Sequence, residues 1–386
     1  MKVKPPRVSA EEHALGLKSY FELGEKRAYK AGNRGPLKLS KDGELDLQIL
    51  EAFEREGFYV FEGVVEPEEI AELRAEIDGL LERAPIGRHS KIDKFGKPAF
   101  GEGFKRGTYT FIKPLSDPWG GTELLGGRHP VQMTEPLPAE DAPKEIVHLI
   151  GGMCQTMKSG LRLYGHPMLL AVAEAINGKD FVPFNEAVFV KQPGLGGSVA
   201  WHQDGVTHWD APNWDPGIHG FNFQVQLYDS TPANCLWVIP GSHRRGRADI
   251  KSLVAENDNS ELLPEAIPMP CKAGDVTIAN RQILHCSFAN TSPDLRVAMT
   301  FGFHRRSSVL GARGALSQGT DLVYDEKTVF ERSRVIAVAI DARQQYFPNE
   351  KRYQYEPFIG LEDDYRWNQE NYEKIIRDYN LQDLAI

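Results

Sequence analysis

The sequence predicts a mainly β protein, an antiparallel sandwich or barrel with helices covering its outside. Three observations carry this. Beyond Phe181 the chain alternates with period two: Phe221, Val225 and Leu227 against Asn222, Gln224 and Gln226, then Leu295, Val297, Met299, Phe301 and Phe303 against Arg296, Ala298, Thr300 and Gly302. Gly, Pro and Asn turns separate these short runs, as in antiparallel sheets. One row of each strand is Asn, Gln, Arg and Thr, which suits a polar cavity inside and helices outside.

Along the chain, residues 1–43 are polar and basic without a clear period and are expected to form an arm on the main body. Leu47, Leu50 and Phe53 make one helical face ended by Gly57, and Phe58-Tyr59-Val60-Phe61 reads as a strand. Pro67 opens a second helix, with Glu68 and Glu69 at its positive end and Ile70, Leu73, Ile77, Leu80 and Leu81 as its apolar stripe. Residues 86–143 are rich in Gly, Pro, Lys and Asp and are expected to be a long lid or binding loop. Within 86–113, seven bases face two acids (Asp93 and Glu102), which reads either as a solvated loop or as a site for an acidic substrate. Helical text is expected from about Lys144 to Leu163 and from Pro167 to Ile176, stopped by Asn177-Gly178. These boundaries give an arm at 1–43, a main domain at 44–310 and an extension at 311–386 that packs on the core or at an oligomer contact.

Composition excludes several classes. The 386 residues carry a formal net charge of −9, 41% hydrophobic and 26% charged residues, so the chain is an ordinary globular one without the basic surplus of a nucleic-acid or anionic-membrane binder. No apolar run approaches about 18 residues, and Met1-Lys2-Val3-Lys4-Pro5-Pro6 leads into no secretory apolar segment. Cys154, Cys235, Cys271 and Cys286 form no CxxC pair and are expected to be reduced and buried, in a cytoplasmic protein acting as a monomer or homo-oligomer.

Chemistry concentrates in two segments. In Trp201-His202-Gln203-Asp204, residues i and i+2 share a face only on extended backbone, so this His-x-Asp can chelate one ion from a strand end. The second segment is His285-Cys286-Ser287, followed by the turn text Asn290-Thr291-Ser292-Pro293 and the strand holding Arg296. If the chain reverses at Asn290-Thr291, His285 lies opposite about Arg296 and Ser287 shares their face. Two His and one Asp on converging strands make the facial triad of a non-heme Fe(II) oxygenase, with positions left for a 2-oxo acid and dioxygen. The planar fork of Arg296 suits the far carboxylate of such an acid.

The order Pro193-Gly194, Trp201 to Asp204, Pro240-Gly241-Ser242-His243-Arg244-Arg245-Gly246, Gly274-Asp275-Val276, His285 with Ser287, and Arg296 eleven residues on resembles the phytanoyl-CoA dioxygenase family of Fe(II)/2-oxoglutarate oxygenases. The opening Glu56-Gly57-Phe58-Tyr59-Val60 is similar too, and the resemblance covers about residues 45–305. It implies a double-stranded β-helix, a cupin-like jelly roll, with His202, Asp204 and His285 as metal ligands and 2-oxoglutarate held by Arg296 and Ser287. Gln203 and Gln224 carry over as cosubstrate-side contacts, although family members often have a bulky residue at the position of Gln224. The activity implied is a dioxygenase using Fe(II), 2-oxoglutarate and O2 to hydroxylate an unactivated C–H bond of a small molecule, such as an intermediate of specialised metabolism.

His202, Asp204 and His285 also fit polar core histidines and a turn aspartate, but two clusters and Arg296 agree against this. His208 and Asp210 repeat the pattern without the glycine-rich approach and are expected at the cavity mouth, and His243 is expected to be structural in its Pro-Gly-Ser turn. Trp201, Trp209, Trp214 and Trp237 are placed either along an apolar pocket or in ordinary core packing. Asp204, where Gly or Ala would leave room for a halide, disfavours a halogenase. The alternatives from other classes are a noncatalytic small-molecule-binding barrel with a structural metal and, less well supported, a zinc hydrolase.

Overall fold

Alternating segments become strands that line one cavity from two sides. The computed structural model describes residues 8–204, 220–313 and 322–383. In chain order the strands are β1 Arg34–Pro36, β2 Phe58–Glu62, β3 Tyr109–Ile112, β4 Ile146–Gly151, β5 Val182–Lys191, β6 Val199–His202, β7 Gly220–Gln226, β8 Trp237–Val238, β9 Ile267–Pro268, β10 Val276–Asn280, β11 His285–Ser287 and β12 Arg296–His304. Among the described residues they form an eight-stranded sheet, β1-β2-β10-β7-β12-β5-β4-β3, and a four-stranded sheet, β6-β11-β8-β9. From β5 to β12 the chain passes back and forth between them. Apart from the parallel pair β1–β2, neighbouring strands are antiparallel.

The period-two pattern sorts the faces as expected. Phe221, Phe223 and Val225 on β7 and Val297, Met299, Phe301 and Phe303 on β12 are buried in the main core. Asn222, Gln224, Arg296 and Thr300 line the cavity on the other face. Helices cover the outside of both sheets: α1 Ala10–Ala31, α2 Leu47–Glu56, α3 Pro67–Glu82, α4 Met153–Thr156, α5 Lys158–Tyr164, α6 Pro167–Asn177, α7 Ile250–Glu256, α8 Arg306–Val309 and α9 Glu326–Tyr346. Of these, α2, α3, α4, α5, α6 and α9 contribute to the main core.

Several local expectations change. The arm is not irregular: Ser9 and Glu12 form a capping box that starts α1, a helix of 22 residues. It lies on the smaller sheet, where the Tyr20 ring stacks on Trp237 at 4.8 Å and Gly24 meets the same indole. Its period is hidden because only His13, Leu17 and Gly24 are buried, while Leu15 and Leu23 face solvent. In α2 the buried pair is Ile49 and Phe53, and Leu47 is exposed. Residues 146–151, expected as helix, are β4, wedged between β3 and β5. A strand covered on both faces carries no alternation, and Ile146-Val147-His148-Leu149-Ile150 has none.

The segment beyond 310 is part of the same body. α9 packs on α5 and β5, and Val335, Ile336, Val338 and Ala339 join the main core. Arg343 of α9 donates to both carboxylate oxygens of Glu69 in α3, at 2.8 and 3.2 Å. Gly165 allows the close approach of α9, since a Cβ there would run into the backbone of Ala339 and Ile340. Gly165→Ala should therefore lower stability by about 1–3 kcal/mol through overpacking, read as a reduced denaturant midpoint; an unchanged midpoint would show that α9 can move away at no cost.

Candidate active site

The glycine-rich stretch before β6 leads the chain into the smaller sheet, and β11 pairs with it so that His285 stands directly opposite His202. Opposed residues of an antiparallel pair share a face, and the two imidazole rings lie 4.0 Å apart between centroids. Asp204, just past the end of β6, brings its carboxylate between them: Nε2 of His202 is 3.6 Å and Nε2 of His285 4.0 Å from its oxygens. One ligand atom from each of the three lies within 4.8 Å of the others, the metal-competent cluster found among the described residues.

The protonation states suit a cation. Nδ1 of His202 is 2.8 Å from the carbonyl of Ala200, and Nδ1 of His285 is 2.9 Å from that of Ile283. A carbonyl only accepts, so both Nδ1 atoms carry the proton and both Nε2 lone pairs face Asp204. Burial pushes both imidazoles below the ordinary histidine value and keeps them neutral. Burial alone would raise Asp204, but Arg281 and Arg128 outweigh it and hold the carboxyl well below the usual range. Two neutral imidazole nitrogens and one carboxylate oxygen, all buried, are the donor set of a ferrous facial triad.

Asp204 is gripped from both sides. Nη1 of Arg128 donates to one oxygen at 2.9 Å, and Nδ2 of Asn222 donates to the other at 2.9 Å. Asn222 in turn accepts from Arg281 at 3.2 Å. Neither Arg128 nor His129 was singled out from the sequence, because both lie in the irregular 86–143 stretch, far along the chain from the clusters they serve. His129 packs its ring on His202 at 4.1 Å and, like it, places Nδ1 against the carbonyl of Ala200, at 3.1 Å. Burial, then Arg128, pushes the His129 imidazole down to about 3.

The hairpin expected between His285 and Arg296 is absent. β11 and β12 belong to different sheets, and residues 288–295 are a crossover, held by Asn290, whose amide donates to the carbonyls of Lys191, Gln192 and Asp294. Arg296 instead neighbours Lys191 in register on β5. Arg296 and Ser287 nevertheless both line the cavity with the triad, now from facing sheets. Nη2 of Arg296 donates to Oε1 of Gln224 at 2.7 Å, so Gln224 does join the group. The Arg296 side chain is almost wholly buried, and its Nε has no partner among the described residues.

Gln203 does not join it. Lying between two residues that face the cavity, it points the other way, where its amide donates to the carbonyl of Gln282 at 2.7 Å and accepts from the Ala248 amide at 2.8 Å. Its task is to pin the 246–248 loop to the strand end. His243 packs on Gly57, whose φ of 82° ends α2, and reaches the Glu54 carbonyl at 3.0 Å, a structural role. Trp201 and Trp237 are core residues. His208, Asp210, Trp209 and Trp214 lie outside the described residues.

Within 86–113 three of the seven bases pair with acids away from the cavity: Arg88 with Glu145, Lys91 with Glu102 and Lys94 with Glu82. Only Arg106 of the seven reaches the cavity, where it meets the Asn380 carbonyl at 2.8 Å and Asp383 at 3.7 Å. The C-terminal segment thus forms the far wall.

A profile of the phytanoyl-CoA dioxygenase (PhyH) family matches residues 53–298, more than half of the chain. The chain belongs to this family. Phytanoyl-CoA dioxygenases are Fe(II)/2-oxoglutarate oxygenases, so iron, 2-oxoglutarate and dioxygen are the cofactor and cosubstrates that membership brings. Among relatives, "Phytanoyl-CoA dioxygenase 1" of Oryza sativa subsp. japonica is 35% identical over 117 residues, 28% of this chain and 40% of that protein. "Phytanoyl-CoA dioxygenase domain-containing protein 1" of Danio rerio is 25% identical over 278 residues, 66% of this chain and 88% of that one. "Ectoine dioxygenase" of Halomonas elongata is 23% identical over 287 residues, 69% of this chain and 72% of that one. Among solved structures, EctD from S. alaskensis with 2-oxoglutarate and 5-hydroxyectoine has 20% identity and a TM-score of 0.48, over 71% of this chain and 81% of that one. The phytanoyl-CoA dioxygenase match ends before α9 and begins after α1, so both helices lie outside the matched residues.

Removing the amide that orients a metal ligand commonly weakens binding by about 10–100-fold. Asn222→Ala should therefore weaken Fe(II) binding in anaerobic titration by a factor in that range, whereas equal affinity would show that Asp204 keeps its orientation without Asn222.

Proposed function

We propose that this protein is a 2-oxoglutarate-dependent dioxygenase that hydroxylates an unactivated C–H bond of a small molecule, an intermediate of specialised metabolism. The observation that carries it is the meeting of His202, Asp204 and His285 in one buried cluster beside Arg296. In this reading the two sheets, between which the chain alternates, are a double-stranded β-helix spanning residues 44–310. Four free, buried cysteines support a cytoplasmic site of action.

His202, Asp204 and His285 would hold the iron. When bound, iron with 2-oxoglutarate supplies the oxidising power, 2-oxoglutarate leaving as succinate and CO2 while dioxygen is consumed. The chain's own part is placement. Arg296, oriented by Gln224, would take the distal carboxylate of 2-oxoglutarate through two parallel hydrogen bonds, and Ser287 would add a hydroxyl from the facing sheet. Trp119, Leu125, Leu149, Phe189, Val199 and Leu236 supply apolar wall that excludes water from the reacting carbon. A cavity of about 410 Å³ restricts the substrate to a small molecule, since 2-oxoglutarate shares the space.

Two substitutions test this. Asp204→Ala should abolish both the Fe(II)–2-oxoglutarate charge-transfer absorption and substrate-dependent succinate formation; retention of both would remove Asp204 from the ligand set. Arg296→Lys keeps the charge but loses the fork. It should raise the KM for 2-oxoglutarate about tenfold or more, in line with the ~1.5–3 kcal/mol of a charged hydrogen bond, and an unaltered KM would place the cosubstrate elsewhere.

A further inference from the structure

Four guanidinium groups line the cavity, and three of them are committed. Arg296 lies at the cosubstrate end with Gln224, Arg106 is spent on Asn380 and Asp383, and Arg281 is engaged with Asn222. The acids at the far end are spent as well. Asp383 accepts from Arg332 at 2.7 Å, and Glu186 accepts from the amides of Gly152 and Met153 and from Tyr379. Arg128 differs. Nη1 meets Asp204 at 2.9 Å, and Nε, like that of Arg296, is buried without a partner among the described residues; the Arg296 fork is accounted for by the cosubstrate, whereas Arg128 has no such claim on it and keeps 13% exposure at the cavity wall. A buried guanidinium N–H left unmatched is uncommon and costly.

The surroundings say what would match it. Trp119 and Leu125, from the same loop, and Val199 and Leu236, from the smaller sheet, add apolar surface to the same cavity. A planar cation with unspent donors beside apolar walls suits a carboxylate with a short hydrocarbon body. We propose that Arg128 anchors the carboxylate of an organic-acid substrate, one edge of its guanidinium remaining on Asp204 while the other takes the acid. This deepens the function proposed above and rests on it. Because Arg128 touches a residue of the triad, it also sets regiochemistry: the oxidised carbon lies close to the acid group. The basic stretch at 86–113 is not the anchor, since Arg106 is its one base on the cavity wall and is held by Asn380 and Asp383.

The test uses the full chain, loaded anaerobically with Fe(II) and 2-oxoglutarate, and reads the charge-transfer absorption as hexanoate, 3-phenylpropionate and their primary amides are added. The acids should perturb the band at concentrations at least about tenfold below the amides, the factor expected for one charge-assisted hydrogen bond. Arg128→Gln should weaken Fe(II) binding, as is expected of Asn222→Ala, but with Fe(II) raised to restore the band it should lose the preference for acids, and Arg128→Lys should keep part of it, which also guards against a misfolded glutamine variant. The proposal is overturned if acids act no better than amides on the wild-type protein, including no response to either, or if Arg128→Gln retains the preference. Should Arg128→Gln show no band even at raised Fe(II), Arg128→Lys decides: a preference for acids in the amide comparison, partial or full, supports the proposal, while loss of all preference with the band intact overturns it. A wild-type protein without the band, by contrast, defeats the oxygenase reading itself, before an acid is ever added.

Discussion

The pairing of His285 with His202 across two short antiparallel strands is the constraint on which the cavity depends, because it decides that residues more than eighty positions apart present their rings to one point. Two backbone carbonyls then decide which nitrogen of each ring is free, and the same carbonyl of Ala200 serves both His202 and His129. The smaller sheet is therefore built around its chemistry. Its outer side is closed by α1, whose Tyr20 and Gly24 pack on Trp237, so a helix outside the matched residues braces the sheet that carries the two histidines.

Electrostatics at the centre are asymmetric. Asp204 is a buried carboxylate that keeps its charge because cations surround it, and Asn222 and Arg128 fix the direction of its oxygens. On the facing sheet Arg296 is buried next to Lys191, whose Nζ donates to the Phe288 carbonyl at 2.5 Å. Burial, and then Arg296, pushes the Lys191 ammonium well below its usual value. The far wall is made by the C-terminal segment, tied to the 103–106 loop through Arg377 with Gly103, Lys105 with Asp378 and Arg106 with Asn380. Shape at that end belongs to parts of the chain that family membership does not describe.

What could be read from the chain follows from the range of each physical rule. Period two gives the face of every residue on β7 and β12, and the i, i+2 rule places His202 with Asp204 and His285 with Ser287. The same rule turns Gln203 away from the cavity, where its amide is engaged by Gln282 and Ala248. Elements with weak or two-sided burial escaped: α1 buries too few side chains to show a period, and β4 is covered on both faces and resembles any apolar run. The turn chemistry at Asn290 was sound, but a turn does not say whether the strands it joins lie in one sheet or two.

The sequence by itself determined the two clusters, the chemistry of their side chains and the alternation that points them inward, because these depend on residues within a few positions of one another. Only the tertiary structure decided that β11 lies against β6 rather than β12, that Arg128 and His129 come in from a distant loop, and that Asn380 and Asp383 close the far wall. Those contacts join segments tens to hundreds of residues apart, and which of them form depends on how sheets and helices share one core rather than on any local preference.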